Sequence, residues 1–280
     1  MFSRKHILVV VSLLILISYR VLADWKEDAE AIGISGGENH TCVLTRNKQP
    51  WSCGDNYYGQ LGNGQKGGHK STLIRVHGLN DIGYLEDINE IDAGWTHSLA
   101  LDANSFVWAW GRNLEGELGD GSDVDKSTPV RVHDVDNVGY LQNIVGISAG
   151  RSGMQSLAVD ANNLVYGWGY NKYGQCGNGQ SGANERELTP VRVLSGEQDP
   201  NNADTVLQYI VAVSAGADQS MALDANGLVY TWGTDSGRDD DEPGYGFADR
   251  PDFRSCGGNI SSRNPGTAET TTNPNYAASD

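Results

Sequence analysis

An internal repeat constrains this chain more than any other feature of its sequence. Four segments align column by column, each closing on a glycine: residues 34–54, 91–111, 147–169 and 213–233. The first three are followed by a glycine-rich block, at residues 55–64, 112–121 and 170–179, and then by a Thr-Pro-Val-Arg-Val-like run. A repeat of this kind is one supersecondary unit that buries its apolar face against its neighbours. We therefore expect an array of similar units.

Each unit reads as short strands separated by turns. In the second unit, residues 98–101 and 106–110 are apolar, β-branched or aromatic, and Asp-Ala-Asn-Ser between them is typical of a turn. The Gly-Gln-Leu-Gly block allows a sharp turn, and the Pro-Val-Arg-Val run supplies another strand. About four strands per unit is the requirement of a β-propeller blade. The sequence therefore predicts an all-β fold of four-stranded blades, and its 36 glycines mark turns and strand ends.

The pattern resembles the regulator of chromosome condensation repeat family. The resemblance rests on AG-x-x-H-S-L-A-L at residues 93–101, W-G-x-N-x-x-G-E-L-G at residues 110–119 and the recurring T-P-V-R-V, and it extends over residues 34–233. It implies a β-propeller, usually of seven blades. The Gly-Tyr-Leu inserts of the first two units are similar to those of secreted bacterial members. The best-known activity of the family is nucleotide exchange on a small GTPase, with attachment to chromatin.

The repeat is incomplete. Four hairpins are present but only three Gly-Gln-Leu-Gly blocks, and no blade strand is recognisable from residue 237 onward. We expect a repeat domain over residues 24–236, forming about three to four blades as an open arc, and an irregular or disordered tail over residues 237–280. Three interpretations remain open. The chain is a fragment or a frame-shifted copy, which the abrupt loss of the pattern favours; or it closes by self-association through open blade edges; or it stands as an open arc.

The N-terminus is typical of a secretory signal peptide. Arg4 and Lys5 precede an apolar run over residues 7–18, and Val21-Leu22-Ala23 resembles a cleavage site. A signal anchor or a core helix is the alternative interpretation. Cleavage after Ala23 predicts a secreted or extracytoplasmic protein with no membrane attachment. The net charge of −16 argues against nucleic acid as a partner, and with the export signal it opposes the nucleotide-exchange role.

Two cysteines depart from the repeat within one hairpin. Cys42 stands in the column of Leu99, and Cys53 stands in the column of Trp110. A two-residue turn would place them opposite each other and permit a Cys42–Cys53 disulfide, whereas a three-residue loop with a bulge would put them on opposite faces. We favour the disulfide, with free core thiols as the alternative. Cys176 is expected to be a small buried apolar residue and Cys256 to lie unpaired in the tail.

No catalytic, metal or cofactor site is predicted. His40 and His97 share one repeat column and are expected to be hydrogen-bonded structural residues. Residues 120–125 alternate acids as in a calcium loop but lack its later glutamate, so a solvated turn is favoured. Asp102 and its matches Asp160 and Asp224 occupy a turn position where aspartate caps the backbone.

Three residues are candidates for binding or modification. Trp95 has Glu38 and Ala217 as its counterparts in other units, so it is a possible binding anchor, with a rim aromatic packed on its own loop as the alternative. Asn39 and Asn259 begin glycosylation sequons.

The predicted function is a secreted noncatalytic β-propeller repeat module for protein binding or scaffolding. The protein partner is unknown. The alternatives are an extracellular enzyme inhibitor, an enzyme acting on polysaccharide or peptide, and a cell-surface adhesive array. An enzyme would need paired carboxylates converging at one site.

Overall fold

A computed structural model describes residues 30–195 and 205–234, and β-strands dominate these ranges. The predicted signal peptide, the predicted tail and the residue pair Cys256 and Asn259 lie outside the described residues. A short 3-10 helix spans Leu79–Asp81. Among the described residues, no helix is long and apolar enough to cross a membrane. The strands are β1 (Ala31–Gly36), β2 (His40–Thr45), β3 (Pro50–Asp55), β4 (His69–Arg75), β5 (Ile88–Ala93), β6 (His97–Asp102), β7 (Val107–Gly111), β8 (Lys126–Arg131), β9 (Ile144–Ala149), β10 (Gln155–Asp160), β11 (Val165–Tyr170), β12 (Arg186–Arg192), β13 (Ile210–Ala215), β14 (Gln219–Asp224) and β15 (Val229–Gly233).

These strands form four antiparallel sheets, one for each repeat. Blade 1 contains β1–β4, blade 2 contains β5–β8, blade 3 contains β9–β12, and blade 4 contains β13–β15. In every blade, strands that are consecutive in the chain pair with each other. The prediction of an all-β fold with propeller blades in an incomplete ring is confirmed. The first strands of consecutive blades pack on one another, which places them on the side of the propeller axis.

A three-residue turn joins the second and third strands of each blade. In blade 2, Asp102 N–H donates to the Phe106 carbonyl at 3.0 Å, and Ser105 N–H donates to the Asp102 carbonyl at 3.0 Å. The backbone of Ser105 is left-handed, with φ of 64°. This geometry is the three-residue hairpin loop that ends in a bulge. The matching left-handed residues in the other blades are Lys48, Asn163 and Gly227.

The aspartate that opens this turn caps it. Asp102 Oδ1 accepts hydrogen bonds from the backbone N–H groups of Asn104 at 2.9 Å and Phe106 at 3.0 Å. Asp160 and Asp224 make the same pair of contacts in blades 3 and 4. The predicted structural role of this aspartate column is confirmed.

One apolar core lies between each pair of consecutive blades, and each core contains a buried tryptophan. Representative residues are Leu44, Val76, Ile91 and Trp110 between blades 1 and 2, Leu99, Ile147 and Trp168 between blades 2 and 3, and Leu157, Ile210 and Trp232 between blades 3 and 4. Because both blades contribute to each core, neighbouring blades stabilise each other, as in other repeat arrays.

A polar contact, which we call the inter-blade clasp, accompanies each core. The backbone carbonyl of Gln60 in blade 1 accepts hydrogen bonds from Ser98 Oγ at 3.0 Å and Trp110 Nε1 at 2.9 Å in blade 2. The next two interfaces repeat the clasp, with Glu117 accepting from Ser156 and Trp168, and Gln175 accepting from Ser220 and Trp232. Since these hydroxyl and indole groups are buried, leaving them unpaired would be costly.

Two buried histidines extend the clasps. His40 Nε2 lies 2.9 Å from Ser98 Oγ, and His97 Nε2 lies 3.0 Å from Ser156 Oγ. Each serine donates its own proton to a clasp carbonyl, so the histidine must donate from Nε2. Nδ1 of both rings is buried without a hydrogen-bond partner, so protonation there would bury an unsolvated charge. Burial lowers the pKa of His40 to about 4 and that of His97 to about 3. Their predicted structural role is confirmed.

The hairpin register corrects the disulfide prediction. Cys42 pairs with Ser52, and Cys53 pairs with Thr41. The three-residue turn moves the register by one residue from that of a two-residue turn, so the two cysteine side chains lie on opposite faces of the sheet. Both are free cysteines, and the predicted Cys42–Cys53 disulfide is wrong. Cys42 packs in the core between blades 1 and 2, where burial raises the pKa of its thiol to about 12.

Cys176 takes the place of a leucine in its block. Leu61, Leu118 and Cys176 are all fully buried at matching positions. The prediction that Cys176 is a small buried apolar residue is confirmed, and burial raises the pKa of its thiol.

Blades 1 to 3 each bury one face against the following blade, and in blade 4 the corresponding face is exposed. Met221 and Leu223 are 37% and 38% exposed, whereas the matching Leu157 and Val159 of blade 3 are 0% and 1% exposed. These side chains are therefore accessible in the described part of the chain. Self-association through open blade edges stays a prediction.

The buried histidines predict a loss of stability on acidification. Their folded pKa values lie below the ordinary value of 6.5, so stability is complete above that pH and falls as the pH drops toward 4. By about pH 5, each histidine should have lowered the free energy of unfolding by roughly 2 kcal/mol. Urea unfolding at neutral pH and at about pH 5 measures this loss.

The matched variant is His97→Gln, because glutamine occupies this column in blades 3 and 4, as Gln155 and Gln219. It should retain about half of the pH dependence that the two histidines cause. Carboxyl groups that titrate in the same range are common to both proteins and cancel in the comparison. An unchanged pH dependence in His97→Gln would contradict the assignment.

Candidate functional site

One end of the arc carries two sets of loops, one that differs from blade to blade and one that contains the recurring glycine-rich block. Because the strands of a blade alternate in direction, the loop after the first strand and the loop after the third lie at the same end. We call this end the loop face. It consists of axial loops at residues 37–39, 94–96, 150–154 and 216–218, and of block loops at residues 56–68, 112–125 and 171–185. The opposite end, the turn face, carries the hairpin turns and the Gly-Tyr-Leu inserts.

A buried asparagine organises each block loop. Asn56 Oδ1 accepts the N–H of Leu61 at 3.0 Å, and its Nδ2 donates to the Gln65 carbonyl at 3.0 Å. Asn113 and Asn171 make matching contacts in blades 2 and 3. These asparagines hold the block loops in a common shape and leave the intervening positions free to vary. Asparagine occupies the same column in all three blocks and is the fixed N of the W-G-x-N-x-x-G-E-L-G motif, but the motif alone does not reveal these contacts.

A second column pair changes its chemistry from blade to blade. Gln60 Nε2 donates to Asp55 Oδ2 at 3.0 Å in blade 1. In blade 2 the same positions hold Arg112 and Glu117, which form an ion pair. Both blades therefore pair a donor with an acceptor across these two columns. The donor is the Gln60 amide in blade 1 and the Arg112 guanidinium in blade 2, and the acceptor is a carboxylate in both. Blade 3 breaks the pattern, because Tyr170 occupies the position of Asp55 and Arg112, and Gln175 Nε2 is buried without a partner.

The Arg112–Glu117 pair places charge inside the loop face. Glu117 is fully buried, and its Oε2 accepts the N–H of Glu115 at 2.8 Å. Burial raises the pKa of Glu117, while the Arg112 guanidinium opposes that rise. Arg112 also lies 6.0 Å from the ring centroid of Tyr58 in blade 1. The pair therefore links the block loop of blade 2 to its neighbour.

Several aromatic side chains lie at accessible positions on the loop face. Tyr57 is 67% exposed, and its ring meets that of Tyr58 edge-to-face at 4.9 Å. In blade 3, Tyr170 and Tyr173 pack at 6.4 Å, and Lys172 Nζ lies 4.8 Å from the Tyr173 ring centroid. Aromatic side chains at solvent-accessible positions are characteristic of protein-binding surfaces.

The predicted binding and glycosylation residues on this face lie in axial loops. Trp95 is half-buried, and its backbone N–H donates to the Gly150 carbonyl of blade 3 at 2.8 Å. Asn39 is exposed in the axial loop of blade 1. Both positions are on the loop face, and their roles stay predictions.

The carboxylates of Asp120 and Asp125 in the calcium-like loop accept hydrogen bonds from neighbouring protein groups. Asp120 Oδ1 accepts from Asn113 Nδ2 at 3.0 Å and Ser122 Oγ at 2.7 Å, and Lys126 lies 3.2 Å from its Oδ2. Asp125 accepts the Asn113 N–H at 2.9 Å. Within residues 30–195 and 205–234, no group of three or more histidine, cysteine, aspartate or glutamate side chains has a metal-binding arrangement.

The inner strand of blade 2 carries two acids without counterparts, Glu90 and Asp92. Asp92 Oδ1 accepts the Ser35 hydroxyl of blade 1 at 2.6 Å, and Oδ2 accepts the Ala149 N–H of blade 3 at 2.8 Å. Asp92 therefore connects three blades, and both of its oxygens are engaged. Burial raises the pKa of Glu90, and the neighbouring Asp92 adds to the rise. The contacts of Asp92 indicate a structural role for this residue.

Comparison with known families decides what this framework is. Two models of the regulator of chromosome condensation (RCC1) repeat match the chain, one over residues 105–154 and 162–223 and the other over residues 31–60, 88–117 and 144–175. Together these matches cover more than half of the chain. The chain belongs to the regulator of chromosome condensation repeat family. The matches of the second model begin at the first strands of blades 1, 2 and 3, and those of the first model run from one blade into the next as far as blade 4. The RCC1 repeats therefore extend over the four blades, which confirms the resemblance seen in the sequence.

Curated proteins with RCC1-like similarity are much longer. The probable E3 ubiquitin-protein ligase HERC6 of Homo sapiens is 32% identical over 210 residues, covering 74% of this chain and 18% of that protein. The ultraviolet-B receptor UVR8 of Arabidopsis thaliana is 32% identical over 148 residues, covering 53% of this chain and 31% of that protein. The chain spans less than a third of either relative.

Solved RCC1-like structures share the fold. Human WBSCR16 aligns with a TM-score of 0.58 and 22% identity, covering 72% of this chain and 47% of that chain. Prp20p from Saccharomyces cerevisiae, described with its binding properties to Gsp1p and histones, aligns with a TM-score of 0.56 and 23% identity, covering 72% and 43%. The described blades therefore correspond to part of a longer propeller in each neighbour.

The exchange of polar pairs between RCC1 blades predicts a compensating double substitution. Glu117→Gln leaves Arg112 with only the longer contact to Glu115, at 3.6 Å, and Arg112→Asp places a second carboxylate beside the buried Glu117. Each should cost about 2–4 kcal/mol of unfolding free energy. The double variant recreates the Asp55–Gln60 pair of blade 1 and should return to within about 1 kcal/mol of the wild-type value. Urea unfolding followed by tryptophan fluorescence measures all four proteins.

Glu30→Gln is the control for this series, because Glu30 and Arg46 form an exposed ion pair. Exposed pairs contribute little, so its effect should stay below about 1 kcal/mol. A double variant no more stable than Arg112→Asp would show that the two blades do not use interchangeable pairs.

Proposed function

We propose that this chain is a secreted, noncatalytic propeller module that binds a partner protein through its loop face. The observation that carries the proposal is the contrast between a constant framework and variable loops. The clasps and the block asparagines recur from blade to blade, whereas the axial loops read Gly-Glu-Asn, Gly-Trp-Thr, Gly-Arg-Ser-Gly-Met and Gly-Ala-Asp. A rigid support under diverse side chains is typical of recognition surfaces.

The chemistry of the loop face supports a protein partner. Tyr57, Tyr58, Trp95 and Tyr173 offer large contact areas on side chains with few rotatable bonds. The net charge of −16 opposes a polyanionic partner such as nucleic acid. Prp20p, a structural neighbour, is described with binding to other proteins, Gsp1p and histones, and this is consistent with a binding role for the repeats.

The activities of the longer relatives are not part of the proposal. This chain covers 18% of HERC6, a probable ubiquitin ligase, so ligase chemistry has no support from the shared segment. The acidic charge and the export signal argue against nucleotide exchange on a small GTPase. Inhibition of an extracellular enzyme would be one form of the proposed binding, because an inhibitor can cover its target with the loop face.

Site-specific photo-crosslinking tests which face binds. A benzophenone amino acid replaces Tyr57 on the loop face or Asn104 on the turn face, and both variants are exposed to the extracellular proteins of the source cells. Both positions are exposed in the structure. Crosslinked protein identified by mass spectrometry should come from the Tyr57 probe and not from the Asn104 probe.

Trp95→Ala in the Tyr57-probe protein serves as the second comparison. If the partner covers the loop face, loss of this half-buried aromatic should reduce the crosslinked product several-fold. Equal products from the two faces, or no product from either, would contradict a loop-face binding module.

Export is tested by the N-terminus of the mature protein. If residues 1–23 are a signal peptide, protein recovered from the medium or the extracytoplasmic space should begin at Asp24. Edman sequencing or terminal-peptide mass spectrometry measures this. Protein that begins at Met1 and stays with the cytosol would overturn the secreted part of the proposal.

A further inference from the structure

The end of strand β1 and the axial loops of blades 2 and 3 meet at one place on the loop face. Arg151 of blade 3 donates its Nε–H to the Gly36 carbonyl of blade 1 at 2.7 Å. Trp95 of blade 2 donates its backbone N–H to Gly150, the residue before Arg151, at 2.8 Å. We name Gly36, Trp95 and Arg151 the axial patch. The patch joins residues of three blades, so no single repeat contains it.

Arg151 has different partners from the other described arginines. Four of them form ion pairs with carboxylates: Arg46, Arg75, Arg112 and Arg186. Arg131 lies over aromatic rings, and Arg192 interacts with Tyr166. Arg151 is exposed, and within the described ranges it contacts no carboxylate; its hydrogen-bond acceptor is the Gly36 carbonyl. Among the described residues, Arg151 is therefore a guanidinium without a carboxylate partner, on a protein whose net charge is −16.

A glycine makes room for this guanidinium. A Cβ on Gly36 would lie 3.0 Å from Arg151 Nη2, closer than ordinary van der Waals contact. The other blades have alanine in this column, at Ala93, Ala149 and Ala215. Glycine therefore occurs in the one blade whose strand end receives the arginine. The approach of Arg151 to blade 1 is a specific feature of this chain and does not follow from the repeat.

The contact with Gly36 prepares the guanidinium to bind an anion. The Gly36 carbonyl accepts the Nε–H and so orients the planar group, and within residues 30–195 and 205–234 the N–H groups of Nη1 and Nη2 have no hydrogen-bond acceptor. A fixed fork of this kind matches the two oxygens of a carboxylate. Because the side chain is already ordered, less entropy is lost when a ligand binds.

We propose that the axial patch binds the side-chain carboxylate of an acidic segment in a partner protein. Arg151 holds an aspartate or glutamate through Nη1 and Nη2, and Trp95 packs against an adjacent apolar residue of the same segment. The inference rests on the proposed function, and it names the chemistry that the loop face recognises.

The surrounding charges favour a single carboxylate over a polyanion. Glu38 is exposed in the axial loop of blade 1, two residues after Gly36. A string of phosphates that reached Arg151 at Gly36 would also approach this carboxylate and be repelled. A segment with one acid between neutral or apolar residues avoids that repulsion.

Selection from a displayed random dodecapeptide library tests the inference on the full chain. Selected peptides should be enriched in aspartate or glutamate next to an apolar residue. For the best peptide, Arg151→Gln should weaken binding by about 10- to 100-fold, the loss expected for a charge-assisted hydrogen-bonded pair. Isothermal titration calorimetry measures the affinities.

Three further variants separate positioning from charge. Gly36→Ala keeps the guanidinium but places a methyl group close to Arg151 Nη2, so affinity should fall several-fold. The fold should persist, because the other blades have alanine in this column. Arg151→Glu reverses the charge of the patch and should abolish binding of the acidic peptide. Lys48→Glu changes the net charge by the same amount, but Lys48 lies on the turn face, so this control should leave the affinity unchanged. A peptide with lysine in place of its acid should recover binding to Arg151→Glu.

The possible outcomes separate this inference from the proposed function. Peptides that lose affinity with Trp95→Ala or Tyr57→Ala but not with Arg151→Gln would overturn the carboxylate site and leave loop-face protein binding intact. Displacement of the peptide by a single-stranded oligonucleotide at equal charge concentration would also overturn it, in favour of a phosphate-binding patch. Recovery of no peptide that binds the loop face would count against both.

Discussion

One backbone carbonyl in each block loop joins a blade to its successor, and the rest of the structure depends on this contact. The Gln60 carbonyl receives a serine hydroxyl and a tryptophan indole from blade 2, both buried beside the apolar core. Burial of these donors requires a fixed acceptor, so the block loop cannot shift without breaking two hydrogen bonds. The common shape of the three block loops in turn sets the position of the loop face.

Much of this framework could be predicted from the sequence, because residues recur in fixed columns. The strands around Ser98 and Trp110, the capped turn at Asp102 and the burial of Cys176 all follow from comparing units. The register of the blade 1 hairpin was harder to predict, because it depends on whether the turn has two or three residues. A two-residue and a three-residue turn have similar compositions, and Lys48 at the left-handed position gives no glycine or asparagine signal for the bulge. The disulfide prediction failed for that reason.

The candidate site was harder to predict, since its contacts join residues that are far apart in the chain. Trp95 was singled out because it departs from its column. Gly36 and Arg151 depart from theirs as well, but their meeting across 115 positions depends on how three blades curve around the axis. The exchange of Asp55 and Gln60 for Arg112 and Glu117 was visible in aligned repeats, although only the structure shows that the two columns touch.

The direction of the clasps has a consequence for synthesis of the chain. The acceptor always precedes its donors: Gln60 comes 50 residues before Trp110, and Glu117 comes 51 residues before Trp168. When a blade emerges from the ribosome, its clasp carbonyl and its outward apolar face therefore have no partners until the next unit is synthesised. Each new unit closes the one before and exposes a fresh apolar face, so the growing arc shows two open faces at a time, that of the newest blade and that of blade 1, where Ile34 is exposed.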